Sequence, residues 1–211
     1  MYNNFFKRFI DIALSFIGIV VLAIPMFIVA IIIKLDSPGP VFFKQKRVGK
    51  DKKYFTIIKF RSMPVTAPHD TPTHQLENTE QLLSKFQRFE RKMSLDELPQ
   101  LFNILIGDMS IIGPRPALWN QDDLIAERDK YGANGVRPGL TGLAQISGRD
   151  ELEIPVKARL DGEYIEKMSF LFDCKCFFGT ITAVLKHDGV VEGGTGELTR
   201  VEENKAEVVT K

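Results

Sequence analysis

"IALSFIGIVVLAIPMFIVAIII", Ile12 to Ile33, is a run of 22 residues without a single charge. A helix of that length crosses the hydrocarbon core of a bilayer. The run is too long for the apolar core of a signal peptide, and no small-residue cleavage site follows it. Pro25, near its middle, lacks a backbone donor and should break or kink a helix. Both flanks are basic, with Lys7 and Arg8 before the run and Lys34, Lys44, Lys46 and Arg47 after it. Basic flanks favour the cytoplasm, and one straight span cannot place both there. Two readings therefore stand: a spanning helix kinked at Pro25, or a re-entrant helix that turns at Pro25 and returns to the side it came from. The charges favour the second, provided that the backbone groups freed at the bend find partners.

Beyond this run the chain is polar and ordinary in composition. Its 211 residues suit one globular domain with an appendage, and a net charge of +1 carries no nucleic-acid signature. Cys174 and Cys176 are too close for an unstrained disulfide and too few for a four-ligand zinc site. They read as free thiols in a reducing cytosol.

After the loop "DSPGP" (Asp36 to Pro40), the stretch "VFFKQKRVGKDKKYFTIIKF" reads as a β-hairpin. One strand starts at Val41 to Phe43, the turn lies around Gly49 to Lys52, and Tyr54 to Phe60 returns. Pro64 to Glu80 is rich in Pro and Thr and has no periodicity. It reads as a surface loop long enough for a lid, with His69 and His74 as loop residues rather than metal ligands. Leu82, Phe86, Phe89 and Met93 follow a helical spacing with a basic outer face. "QLFNILIG" continues as a short apolar helix ended by Gly107, and "QDDLIAERDKYG" as a polar helix ended by Gly132. "VRPGLTGLAQISGR" reads as irregular, with a short strand at Leu143 to Ile146. Met168 to His187 is either a core helix or a helix lying at the membrane surface. The tail from Gly193 is polar and reads as disordered.

"SLDELPQ", Ser94 to Gln100, admits two readings. Ser94 and Glu97 fit a capping box, with Met93 and Leu98 as its apolar staple. Pro99 opposes this, because it would fall inside the helix; proline is at home at a helix start. A helix beginning near Pro99 leaves Asp96 and Glu97 at its mouth. Arg91, Arg115, Arg137 and Arg149 also read as isolated polar residues in tight turns defined by proline and glycine. Arginine grips phosphate oxygens in a bidentate fork. Adjacent carboxylates repel unless a cation joins them, and Mg²⁺ commonly binds one or two carboxylates together with substrate phosphates. Aspartate can also attack phosphorus to give an acyl phosphate. The pattern points to metal-assisted phosphoryl chemistry at a membrane surface.

"SPGPVFFKQKRVG", "KFRSM", "SLDELPQLFNIL", "GDMS", "GPRP", "VRPGLTGLAQ" and "SGR" stand in one order from Phe6 to about Leu185. In this the chain resembles the small monotopic phosphoglycosyl transferases of the bacterial sugar transferase family. The resemblance implies transfer of a phospho-sugar from a UDP-sugar to polyprenyl (undecaprenyl) phosphate, with release of UMP. It implies Asp96 as nucleophile, Glu97 as the Mg²⁺ ligand, and Arg91 and Arg115 on phosphate oxygens. Lys59 holds a matching basic position, and Arg137 and Arg149 serve the nucleotide phosphates or the structure. The re-entrant break is often Ser-Pro in that family; here it is Ile24-Pro25.

The implied architecture is α+β and mainly helical. It has a re-entrant membrane helix over 1–35, a cytoplasmic catalytic domain with one hairpin and interfacial amphipathic helices over 36–192, and a tail over 193–211. The expected location is the cytoplasmic face of the bacterial inner membrane, as a monotopic protein that starts capsule, exopolysaccharide or glycoprotein glycan assembly. Expected partners are membrane lipid and downstream glycosyltransferases, with a homodimer left open. The smallest family members suggest an N-acetylated deoxy sugar. Two rivals remain: a membrane-bound Mg²⁺-dependent phosphodiester or pyrophosphate hydrolase, and a non-enzymatic scaffold whose basic surface binds anionic lipid.

Overall fold

The computed structural model describes residues 2–67, 83–148 and 152–186. Most of the Pro64 to Glu80 loop with His69 and His74, the residue Leu82, the residue Arg149 and the tail from Gly193 lie outside the described residues. The architecture is mainly helical α+β with two small two-stranded sheets.

A π-helical turn, Tyr2–Phe6, leads into α1, Lys7–Asp36, of 30 residues and therefore about 45 Å long. The helix runs on through Pro25 without a break. Its buried residues are Lys7, Asp11, Ser15, Met26, Val29 and Ile33, which form a stripe at helical spacing. The rest of its surface is apolar and open, with Val21 at 67%, Ile24 at 73% and Phe27 at 68% exposure. The most apolar window of α1 has a mean hydropathy of 3.2 and is only 17% buried. A core helix would be enclosed, so this surface belongs in lipid.

The hairpin forms as the sequence predicts. Strands β1 (Phe42–Val48) and β2 (Tyr54–Phe60) pair antiparallel, with Phe42 opposite Phe60 and Val48 opposite Tyr54. Asp51 and Lys52 turn the chain with positive φ. Phe60 joins Met26, Val29 and Ile33 in a core cluster, so the hairpin rests on the inner stripe of α1. A second cluster joins Ile57 to Leu101, Ile104 and Met109, with Ile19 and Leu22 of α1 packed against it.

Helix α2 (Lys85–Lys92) has a true capping box: Ser84 Oγ accepts from Gln87 N, and Gln87 Oε1 accepts from Ser84 N. Helix α3 (Gln100–Ile106) follows and is ended by Gly107 at φ 103. Strands β3 (Ser110–Ile112) and β4 (Gly139–Thr141) pair in parallel on either side of the polar helix α4 (Asp122–Asp129).

The strand expected at Leu143 to Ile146 is instead the short helix α5, Leu143–Ser147, and the strand lies just before it. The reason is steric. The Gly139 and Gly113 backbones touch, and Gly113 N donates to Thr141 O at 2.8 Å. Only glycines allow that approach, and three residues are too few to show an alternating pattern. Helix α6 (Ile154–Lys167), with Pro155 in its first turn, was not anticipated. Helix α7 (Phe170–Lys186) combines both readings of its sequence. Asp173 and Cys176 are buried, whereas Phe170, Leu171, Phe178 and Ile181 are exposed. Cys174 and Cys176 are free thiols.

Candidate active site

The chain leaves α2 through Ser94, held left-handed at φ 54 and ψ 27, and enters a 3-10 turn over Leu95–Glu97. The Ser94 side chain caps nothing, so the capping-box reading of "SLDELPQ" fails. A left-handed non-glycine residue is uncommon and strained, and such conformers gather at functional turns. Pro99 stands immediately before α3, as its chemistry requires. Leu95 and Leu98 pack on the core cluster of Met26, Val29, Ile33 and Phe60. Asp96 and Glu97 are thus carried between two apolar anchors.

The sheet and a proline loop bring cations to this turn. Lys59 on β2 donates from Nζ to Glu97 Oε1 at 2.9 Å, and Arg115 donates from Nη2 to the same oxygen at 2.7 Å. Lys59 and Glu97 are largely enclosed, whereas the Arg115 side chain is 40% exposed and open to an incoming anion. Arg115 is positioned from β1, because Val48 N donates to Ala117 O and Arg47 Nη1 donates to Pro116 O at 3.0 Å. Asn103 fixes α3 to β2: its Nδ2 donates to Thr56 O at 2.8 Å and its Oδ1 accepts from Ile58 N at 3.0 Å. Arg61 clamps the end of α1 by donating to Pro38 O and Ser37 O. Asn103 and Arg61 were not singled out from sequence, although both stand inside quoted motifs, "LFNIL" and "KFRSM".

The two carboxylates are made unequal. Burial pushes the Asp96 carboxyl up to about 6; the Glu97 charge adds to this, while Lys59, Arg91 and Arg115 pull it down. Burial also opposes ionisation of Glu97, but the charges of Arg115 and Lys59 and their hydrogen bonds outweigh it and hold that carboxyl far below its ordinary value. One group is a permanent anion and the other is poised near neutrality. Glu90, beside Arg91 on α2, is a third acid. It is fully buried, and neither of its carboxylate oxygens has a hydrogen-bond partner. Burial, then the charge of Asp96, pushes it up to about 8.

Asp96, Glu97, Lys59, Arg91 and Arg115 therefore act on one another. Arg137 lies elsewhere, in a cavity with Lys7 and Arg8, where its Nε donates to Gly107 O at 2.9 Å. Among the described residues no group of three or more His, Cys, Asp or Glu side chains forms a protein-only metal cage. The dyad instead fits a hard cation that takes one or two carboxylates and completes its shell with substrate phosphates.

Residues 2–187 match the family model described as "Bacterial sugar transferase". The chain belongs to the bacterial sugar transferase family. Among its relatives, "Uncharacterized sugar transferase EpsL" of Bacillus subtilis (strain 168) is 38% identical over 184 residues, covering 87% of this chain and 89% of that protein. "Exopolysaccharide production protein PSS" of Rhizobium leguminosarum bv. phaseoli is 38% identical over 191 residues, covering 85% and 94%. "UDP-glucose:undecaprenyl-phosphate glucose-1-phosphate transferase" of Escherichia coli (strain K12) is 38% identical over 192 residues, covering 85% of this chain but 40% of that protein. The family member described here thus spans nearly all of the small relatives and less than half of the large one.

Proposed function

We propose that the protein transfers a phospho-sugar from a UDP-sugar to polyprenyl phosphate through a covalent intermediate on Asp96. The observation that supports this most is the pairing of a half-buried aspartate, surrounded by three cations, with a glutamate already neutralised by Lys59 and Arg115. An Asp96 oxygen attacks the phosphorus that bears the sugar. The bond from that phosphorus to the bridging oxygen breaks, and UMP leaves with the oxygen. A phosphate oxygen of the polyprenyl phosphate then attacks the same phosphorus. The acyl phosphate bond breaks and the Asp96 carboxylate is restored. Arg115 and Arg91 hold phosphate oxygens through this exchange, and Lys59 holds Glu97 in place.

Mg²⁺, when bound by Glu97 beside Asp96, would offset the charge of the diphosphate. Relatives named for transfer of sugar phosphates to undecaprenyl phosphate support the same reaction class. The product is an activated lipid-linked sugar, which a downstream glycosyltransferase would extend. The contacts of α1 support a monotopic placement, and the basic residues on both sides of its apolar run favour the cytoplasmic face. Lys7 and Arg8 at one end and Asp36 at the other all bond to the same body.

The test is enzyme with UDP-sugar alone. About one UMP per active site should leave in a burst and then release should stop, as expected for covalent ping-pong catalysis. The protein should gain the mass of one phospho-sugar on a peptide containing Asp96, and added polyprenyl phosphate should discharge it. Continuous UMP release without lipid would establish a hydrolase. UMP release that strictly requires lipid, with no adduct at any time, would make Asp96 a base or metal ligand.

A further inference from the structure

The cavity that holds Arg137, of about 220 Å³, lies at the N-terminal foot of α1, and no residue of the dyad cluster lines it. Lys7, Arg8 and Asp11 of α1, Lys50 of the hairpin turn, Arg137 and Met168 are among its walls. Its charges do not balance. Lys7 is matched by Asp173, whose Oδ2 accepts from Nζ at 2.6 Å. Among the described residues Arg8 donates only to carbonyls, those of Ile104 and Leu105, and Arg137 donates to the carbonyl of Gly107. Carbonyl partners fix the guanidinium groups without cancelling their charge. The Lys50 side chain, on a hairpin turn whose backbone is held by Lys53 N donating to Lys50 O, makes no hydrogen bond or ion pair among the described residues. Asp11 is turned inward, with Oδ1 accepting from Ile111 N at 2.9 Å. Against four cations stand Asp11 and Asp173, which leaves an excess of two positive charges.

The surroundings indicate where an anion would come from. Phe5, Phe6 and Phe9 are 68%, 50% and 66% exposed next to Lys7 and Arg8. Phe170 and Leu171, just beyond Met168, are 53% and 79% exposed. Both apolar patches border the cavity in sequence, and the open apolar surface of α1 begins there. A cationic pocket flanked in sequence by exposed apolar side chains suits the headgroup level of a bilayer, where basic residues meet anionic lipid and apolar ones reach the acyl boundary. The cavity volume lies below the roughly 300–1,000 Å³ usual for drug-sized ligands, which suits a phosphate headgroup better than a whole nucleotide sugar.

We propose that this cavity at the foot of α1 binds the phosphate of an anionic membrane lipid through Arg8, Lys50 and Arg137. The site would fix the height of the catalytic body over the membrane, independently of the dyad. The test is equilibrium binding of phosphatidylglycerol to the full chain in detergent, followed by native mass spectrometry, with phosphatidylcholine, polyprenyl monophosphate and inorganic phosphate as competitors. Phosphatidylglycerol should bind in preference to phosphatidylcholine, and inorganic phosphate at the same concentration should not displace it. Lys50→Glu and Arg137→Gln should each weaken binding by about fivefold or more. Lys50 stands on an open turn, so its variant tests the site even if Arg137→Gln misfolds, and Asp96→Asn should bind the lipid as the parent does. Failure of polyprenyl monophosphate to displace the phospholipid would uphold a headgroup site independent of the dyad, whereas displacement would make it an acceptor site and overturn that independence. Equal binding of the two phospholipids, equal displacement by inorganic phosphate, or undiminished binding by Lys50→Glu would overturn the proposal.

Discussion

Glu97 Oε1 accepts from Lys59 and Arg115 at once, and this shared oxygen separates the behaviour of two adjacent acids. Glu97 stays ionised across the working range, while burial leaves Asp96 titrating near 6. The attack proposed above needs the Asp96 carboxylate. The kcat/KM for UMP release should therefore fall as pH drops through about 6, and Asp96→Asn should lose activity by on the order of a thousandfold or more at any pH. A pH-rate profile flat down to pH 5 would contradict this role. Glu90 gives a separate signal in stability. Its folded value of about 8 lies above the ordinary 4.5, because burial disfavours the anion. The stability it lends is complete below about pH 4.5 and is lost as pH rises through about 8. Glu90→Gln should flatten that decline, with Tm rising relative to the parent at pH 8.5 and little changed at pH 5, as read by thermal melts.

The elements around the dyad are held by few and specific contacts. Asn103, 1% exposed, joins α3 to β2 through two backbone hydrogen bonds, and β2 carries Lys59. Asn103→Ala leaves Ile58 N and Thr56 O without those partners. The change should cost about 1–3 kcal/mol of stability and lower kcat by displacing Lys59 from Glu97. Denaturant unfolding beside steady-state kinetics measures both, and an unchanged midpoint would refute the linkage. A buried pair plays a similar part farther away, where Arg128 on α4 meets Asp161 on α6 at 2.6 Å. Neither contact can be read from periodicity, since each joins residues that share no element.

Across the whole molecule, α1 serves as both membrane element and core wall. Its inner stripe contributes Met26, Val29 and Ile33 to the cluster beneath the dyad, and its outer surface is open and apolar. Both ends are tied to one body, through Lys7 to Asp173 and Asp36 to Ser84. A helix that passed straight through a bilayer would separate those ends by about 30 Å of hydrocarbon. Cysteines introduced at the N-terminus and near Lys50 should therefore be labelled from the cytoplasmic side alone. Labelling of one of them from outside the cell would establish a spanning helix.

The charge-free run from Ile12 to Ile33, the hairpin turn at Gly49 to Lys52, and the Pro99 helix start were legible in the sequence, because each follows from local rules: hydropathy, turn chemistry and the missing proline donor. Asp96 and Glu97 were legible as a pair for the same reason, and the ordered motifs gave the family. What only the tertiary structure decided was non-local. The parallel pairing of Ser110–Ile112 with Gly139–Thr141 depends on two glycine backbones meeting from distant segments. The unequal acidity of Asp96 and Glu97 depends on Lys59 and Arg115 arriving from a strand and a loop on either side. The separation of Arg137 from Arg115 depends on the partner each guanidinium reaches, the Gly107 carbonyl for one and the Glu97 carboxylate for the other. Burial and the distance between charges set these properties, and a linear sequence holds neither until the chain has packed.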